Sequence, residues 1–127
     1  MNTTVVTAAV VERDGCFLVT RRPEGTHLGG YWEFPGGKCE PGETFAACLA
    51  RELAEELGVA ASVGEELLTT THAYPDRSVE LHFLRCSLRG TPVPQDGQEM
   101  RWVPRAELAR LQFPPADDEL IRILTLG

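Results

Sequence analysis

No segment of the 127-residue chain is long and apolar enough to cross a bilayer. The longest apolar-leaning run, Thr4 to Val11, falls far short of a span, and no secretory signal precedes it. A cytoplasmic protein with no membrane partner is therefore expected. Cysteine is scarce and unpatterned: Cys16, Cys39, Cys48 and Cys86 form no Cys-x-x-Cys and stand at no zinc-like offset from His27, His72 or His82. They read as separate reduced thiols, some of them core filler, which sets aside both a disulfide scaffold and a zinc site. Positive charge is in deficit as well. Twelve basic residues face 19 acidic ones, a net charge of −7. Proteins that wrap nucleic-acid polymer draw most of their affinity from clustered positive charge, so that class of partner is excluded. The sequence also lacks internal repeats and linkers, and reads as one domain over 1–127.

What remains is the composition of a globular protein, 43% hydrophobic and 24% charged. β-Branched runs at Thr3–Glu12 and Cys16–Arg21, around Arg13-Asp14-Gly15, predict a hairpin. Residues 23 to 31 read as a loop. The extended piece Tyr31–Phe34 is expected to end at Pro35-Gly36-Gly37, where proline and glycine interrupt regular structure. From Glu43 to Leu57 the composition is helical, and Gly58 sits where a helix C-terminal glycine belongs. Ser62–Tyr74 and Val79–Leu88 predict two strands around a turn at Pro75–Ser78, and Met100–Val103 a short third. Helical stretches follow at Arg105–Leu111 and Asp117–Leu126, separated by Phe113-Pro114-Pro115. Strands interleaved with isolated helices predict an α/β fold, a mixed sheet covered by helices. Trp32 and Trp102 are expected in the core.

The acids are concentrated on the first helix. With residues about 100° apart and Leu49 as origin, Phe45, Leu49, Leu53 and Leu57 form a core-facing stripe. Glu56 falls about 20° from Leu49, inside that stripe, Glu52 about 60° away at its border and Glu55 about 120° away. A solvated face explains Glu65 and Glu66 but not a carboxylate turned toward the core, which needs a proton or a cation. Three carboxylates about 5 Å apart would repel by about 3 kcal/mol per pair at an effective dielectric near 20. A hard divalent ion, Mg²⁺ or Mn²⁺, relieves that repulsion through oxygen ligands and shares its remaining positions with water and phosphates. Metal-assisted attack on a phosphoryl group is the chemistry implied.

The run Gly37, Glu43, Arg51-Glu52-Leu53, Glu55-Glu56 and Gly58-Val59, at its spacing, resembles the complete Nudix signature. The resemblance implies an α/β/α sandwich and hydrolysis of a nucleoside diphosphate linked to another group. It implies metal ligation by Glu52, Glu55, Glu56 and the Gly36 carbonyl, with Glu43 and Arg51 as a supporting ion pair. Thr20-Arg21-Arg22, Trp32-Glu33-Phe34-Pro35-Gly36-Gly37-Lys38, Tyr74-Pro75-Asp76-Arg77 and Phe113-Pro114-Pro115-Ala116-Asp117 look like the MutT branch. Members of that branch cut oxidised guanine nucleoside triphosphates such as 8-oxo-dGTP to the monophosphate and pyrophosphate, by attack of water on the β-phosphorus. A further glutamate outside the signature commonly assists, and Glu99 is the candidate here.

By the same resemblance Arg22, Phe34 and Val79, with Thr4 and Val6 from the first strand, line the base pocket, and Tyr74 belongs to the substrate site. Arg21, Arg22 and Lys38 are placed to steer phosphates. MutT has an asparagine where this chain has Asp117. An ionised Asp accepts from guanine N1–H and N2–H₂ but offers no donor to O6, and it equally accepts from cytosine N4. CTP, dCTP or 5-methyl-dCTP is the alternative substrate class, and capping of the last helix is the alternative role for Asp117. A non-catalytic nucleotide-binding module would lack one or more of the glutamates kept here. The expected partner is a small nucleoside triphosphate, and the expected assembly a monomer or small homo-oligomer.

Overall fold

The computed structural model describes residues 2–126. Strand β1 (Asn2–Arg13) turns through Asp14 and Gly15, both at positive φ, into β2 (Cys16–Arg21). The two strands pair only beside that turn, at Glu12↔Phe17 and Arg13↔Cys16. Beyond it they diverge, and β1 takes other partners. On one edge it runs parallel to β6 (Arg77–Arg89), from Asn2↔Arg77 to Val11↔Cys86. On the other, β4 (Gly36–Lys38) lies antiparallel to it over Val6–Ala8. Strand β2 carries β3 (Trp32–Glu33) and β7 (Met100–Pro104), and β5 (Ala60–Ala73) completes the sheet beside β6. The strand order is β3-β2-β1-β6-β5, a mixed sheet as expected.

Helices α1 (Phe45–Leu57) and α2 (Asp118–Leu126) cover its two faces. The apolar run in β1 is buried on both sides, and its alternation divides the core. Ala9 and Val11 pack with Leu49, Leu53 and Leu57 of α1, and Ala8 and Val10 pack with Leu120 and Leu124 of α2. Thr44 caps α1, accepting from the Ala47 N–H at 3.1 Å, and Gly58 ends it in the left-handed region at φ 60°.

Four local expectations change. Gly36 and Gly37 do not end the chain's regular structure; they form β4. A Cβ at Gly36 would overlap the Thr7 carbonyl, so glycine is what permits this close strand approach. Phe45, assigned to the core stripe, is 39% exposed and stacks on His82 with ring centroids 3.9 Å apart. The stretch after β7 is a 3-10 helix, Arg105–Arg110, and a 3-10 turn, Pro115–Asp117, leads into α2. Cys39 and Cys48 are not separate thiols but a disulfide; Cys16 and Cys86 are free. The pairing depends on α1 folding back against β4, which cysteine spacing does not reveal. Trp32 is buried in the α2-side core, and Trp102 packs against the α1-side core.

Candidate active site

The turn between β4 and α1 brings distant positions of the sequence onto one guanidinium. Arg51 Nε donates to Glu43 Oε2 at 2.7 Å and Nη2 to Glu43 Oε1 at 2.9 Å, a two-point fork. Its Nη1 donates to Glu52 Oε1 at 3.0 Å and to Glu55 at 3.3 Å, and Nη2 also reaches the Lys38 carbonyl at 3.0 Å. The Arg51 hydrogen bonds, then the Glu40 N–H, hold the Glu43 carboxyl down at about 2. Glu43 in turn holds Arg51 more firmly in its charged form. Arg51 thereby ties the helix to the loop before it. Gly37 lies against Glu52 so closely that a Cβ there would overlap the carboxylate.

Glu56 faces a different environment. Burial, followed by the charges of Glu33 and Glu52, pushes its carboxyl up to about 8; a hydrogen bond from the Gly36 N–H opposes this, and Asp96 adds to the rise. Asp96 lines a small cleft of about 150 Å³ together with Glu33, Glu56 and Gln98. Glu99 does not line that cleft. It is half exposed and paired with Arg21 at 3.2 Å.

A larger cleft, about 400 Å³, opens beside β4. Gly36, Lys38 and Glu56 are among its lining residues, as are Arg22, Phe34, Tyr74, Val79 and Asp117, with Thr4 and Val6 from β1. The residues expected to bind substrate therefore share one cavity, while Glu43, Arg51, Glu52 and Glu55 form the clasp next to it. Phe34 is fixed by stacking on Phe113, with centroids 5.3 Å apart. Asp117 is only 5% exposed. Burial, then the charges of Glu33 and Asp118, push its carboxyl up to about 7. The extended position before the 3-10 turn belongs to Pro114, at ψ 149°. Asp117 thus sits within the helical run rather than where a capping residue sits.

Three further cleft residues were given no role of their own in the sequence analysis. Glu33 lines both clefts and accepts from Arg22 Nη1 at 3.0 Å; burial raises its carboxyl pKa and Arg22 moderates the rise. Arg77 lines the larger cleft, lies 5.7 Å over the Tyr74 ring, and has a buried Nε without a hydrogen-bond partner. Asp96 is the third. Alternation in the Trp32-Glu33-Phe34 segment, where both neighbours are core, could have flagged Glu33. No local pattern marks Asp96.

Residues 6–122 match the NUDIX domain family model. The chain belongs to the Nudix family. It is 38% identical over 117 residues to the CTP pyrophosphohydrolase of Escherichia coli K12, covering 91% of this chain and 87% of that one. It is 37% identical over 121 residues to an 8-oxo-dGTP diphosphatase of Haemophilus influenzae, covering 94% and 89%. A solved MutT structure from methicillin-resistant Staphylococcus aureus superposes with a TM-score of 0.81 at 32% identity, covering 99% and 98%. This chain is accordingly a MutT-like Nudix hydrolase, a pyrophosphohydrolase acting on small nucleotides. Among the described residues, no helix is long and apolar enough to cross a membrane.

Nudix hydrolases generally use divalent metal ions. Among the described residues of this one, no three acidic, thiol or imidazole side chains converge on a ready-made ion site. Arg51 holds both Glu52 and Glu55 by hydrogen bonds. The donor set still fits a hard cation by its chemistry. All its atoms are oxygen, Glu52 is only 15% exposed, and a nearby positive charge would favour ionisation of the partly buried Glu56 carboxyl.

Proposed function

We propose that this Nudix hydrolase cleaves nucleoside triphosphates to the monophosphate and pyrophosphate, sanitising oxidised guanine nucleotides such as 8-oxo-dGTP, with Mg²⁺ held by Glu52, Glu55, Glu56 and the Gly36 carbonyl. Mn²⁺ serves as the substitute. The observation that lets this cleft read a guanine edge is the buried Asp117 carboxyl in its wall, pushed up to about 7. An ionised Asp lacks a donor for guanine O6. The neutral acid supplies one, so near neutral pH Asp117 donates to O6 and accepts from N1–H, as an amide would. Phe34 and Val79 supply apolar walls, and the unsatisfied Nε of Arg77 offers a further donor inside the cleft.

A divalent cation held by Glu52, Glu55, Glu56 and the Gly36 carbonyl would offset the phosphate charge and would make a water more acidic and so a better nucleophile. The protein's own part is positioning. Arg51 fixes Glu52 and Glu55, the Gly36 N–H fixes Glu56, and Lys38 and Arg22 meet the remaining phosphate charge. Asp96, grouped with Glu56 and Glu33, is better placed than Glu99 to act as the accessory carboxylate.

A second reading, CTP, dCTP or 5-methyl-dCTP as substrate, is favoured by the similarity to a CTP pyrophosphohydrolase. A neutral Asp117 also complements cytosine, donating to N3 and accepting from N4. A panel of 8-oxo-dGTP, dGTP, CTP and 5-methyl-dCTP with Mg²⁺ in ¹⁸O-water separates the two. The expected result is fastest turnover of 8-oxo-dGTP, with the label in pyrophosphate. Fastest turnover of a cytosine nucleotide selects the second reading, and no pyrophosphate from any substrate overturns both.

A further inference from the structure

The disulfide Cys39–Cys48 has a position that bears on catalysis. Cys39 directly follows β4, whose Gly36 binds Glu56 and whose Lys38 carbonyl is held by Arg51. Cys48 lies in α1, one turn before Glu52. The bond therefore joins the two elements that contribute the proposed ligands, and it closes the loop bearing Glu43. The two sulfurs differ in access. Cys39 is part-exposed, whereas Cys48 is fully buried, its Sγ 3.2 Å from Thr7 Oγ1. Cys16 and Cys86 have no such partner among the described residues.

We propose that Cys39 and Cys48 form a reversible redox latch, a modification site for low-molecular-weight disulfides, whose closure locks β4 to α1 and preorganises the metal-binding half of the active site. The difference in access sets the order of events. The part-exposed Cys39 thiolate attacks one sulfur of the external disulfide, and one small thiol leaves. The Cys48 thiolate then attacks Cys39 Sγ and expels the second small thiol. The protein dithiol loses two electrons, the external disulfide gains them, and the two cysteine protons end on the released thiols. Closure restricts the unfolded chain and removes freedom from the loop next to Arg51. The catalytic consequence rests on the proposed metal site; the formation and stability of the latch do not.

The test equilibrates the full chain in glutathione buffers of graded oxidised-to-reduced ratio, without and with Mg²⁺. Samples are then unfolded in acid, alkylated and cut with trypsin. Cleavage after Lys38 and Arg51 places both cysteines on one peptide, separate from Cys16 and Cys86. That peptide is expected to pass from two alkyl groups to none as glutathione disulfide rises, while the Cys16 and Cys86 peptides stay alkylated. The oxidised protein is expected to melt roughly 5–10 °C higher. The Mg²⁺ concentration for half-maximal pyrophosphate release should be at least roughly threefold lower in the oxidised form. Cys39→Ser should abolish both differences. Double alkylation of the peptide at every ratio overturns the latch. So does a cross-link that leaves both the melting temperature and the Mg²⁺ requirement unmoved. Absence of hydrolysis in both states refutes the functional reading instead, and the alkylation pattern and melting temperature still decide the latch.

Discussion

Asp96 and Glu99 are three residues apart, yet their surroundings differ. Asp96 shares a cleft with Glu33 and Glu56, whereas Glu99 spends its charge on Arg21. Asp96→Asn should lower kcat by roughly tenfold or more with little change in KM, the pattern of a group that acts mainly in the transition state. Glu99→Gln should stay within about threefold of the parent enzyme, since exposed ion pairs contribute little. Steady-state kinetics on both variants checks the pair, and the opposite order would return Glu99 to the site. The sequence could not rank these two acids. Position relative to Trp102 says nothing of which carboxylate the segment before β7 turns toward Glu56. Arg77 was equally silent, because cavity lining is a property of tertiary packing. Glu56 was legible, since a carboxylate inside an apolar helical stripe needs an explanation whatever the fold.

At the scale of elements, α1 does two jobs with two faces. Leu49, Leu53 and Leu57 are fully buried against the sheet, so Leu53→Ala should destabilise the protein by about 2–5 kcal/mol, read by chemical denaturation. The clasp face depends on close backbone approach instead. Gly37→Ala should leave stability within about 2 kcal/mol but displace Glu52 and cut kcat/KM at least roughly tenfold, since the added Cβ would overlap that carboxylate. Normal activity in this variant would show that Glu52 tolerates the shift. Most of these elements could be read from periodicity and caps: the Gly58 end of α1, the β1–β2 hairpin, the β5–β6 pair. Strand β4 could not, because its evidence is a contact with Thr7 rather than a pattern along the chain. Phe45 was misassigned for a related reason. An angle on a helical wheel locates a face, but Phe45 is the first residue of the helix, and its ring stacks on His82 of β6 while staying 39% exposed.

The molecule as a whole gathers acids whose protonation opposes or supports folding in different pH ranges. Asp117, with an ordinary value of 3.8 pushed up to about 7, binds its proton more tightly when folded than when unfolded. Between these values the native state holds more protons, so stability falls as pH rises through that window. The displacement corresponds to about 4 kcal/mol at most. Glu43, held at about 2, acts in the opposite sense: its contribution is present above the ordinary carboxylate range and is lost as pH falls toward 2. Melting temperature in a chelator-containing buffer should therefore decline from about pH 4 to pH 7. Asp117→Asn should flatten much of that decline, and an unchanged slope would place the burden on the other buried acids. Net charge, which at first only excluded polymer binding, thus conceals a division between acids held charged by Arg51 and acids held neutral by burial.

The parallel pairing of β1 with β6 has a consequence in time. Strand β1 is secured by residues such as Cys86 opposite Val11, made 75 residues later, and its contact with β2 is confined to the turn. Pairings so distant in sequence form slowly and late. On the ribosome, β1 is left with one edge open until β6 follows, while the local loop between β4 and α1 is already within reach of closure.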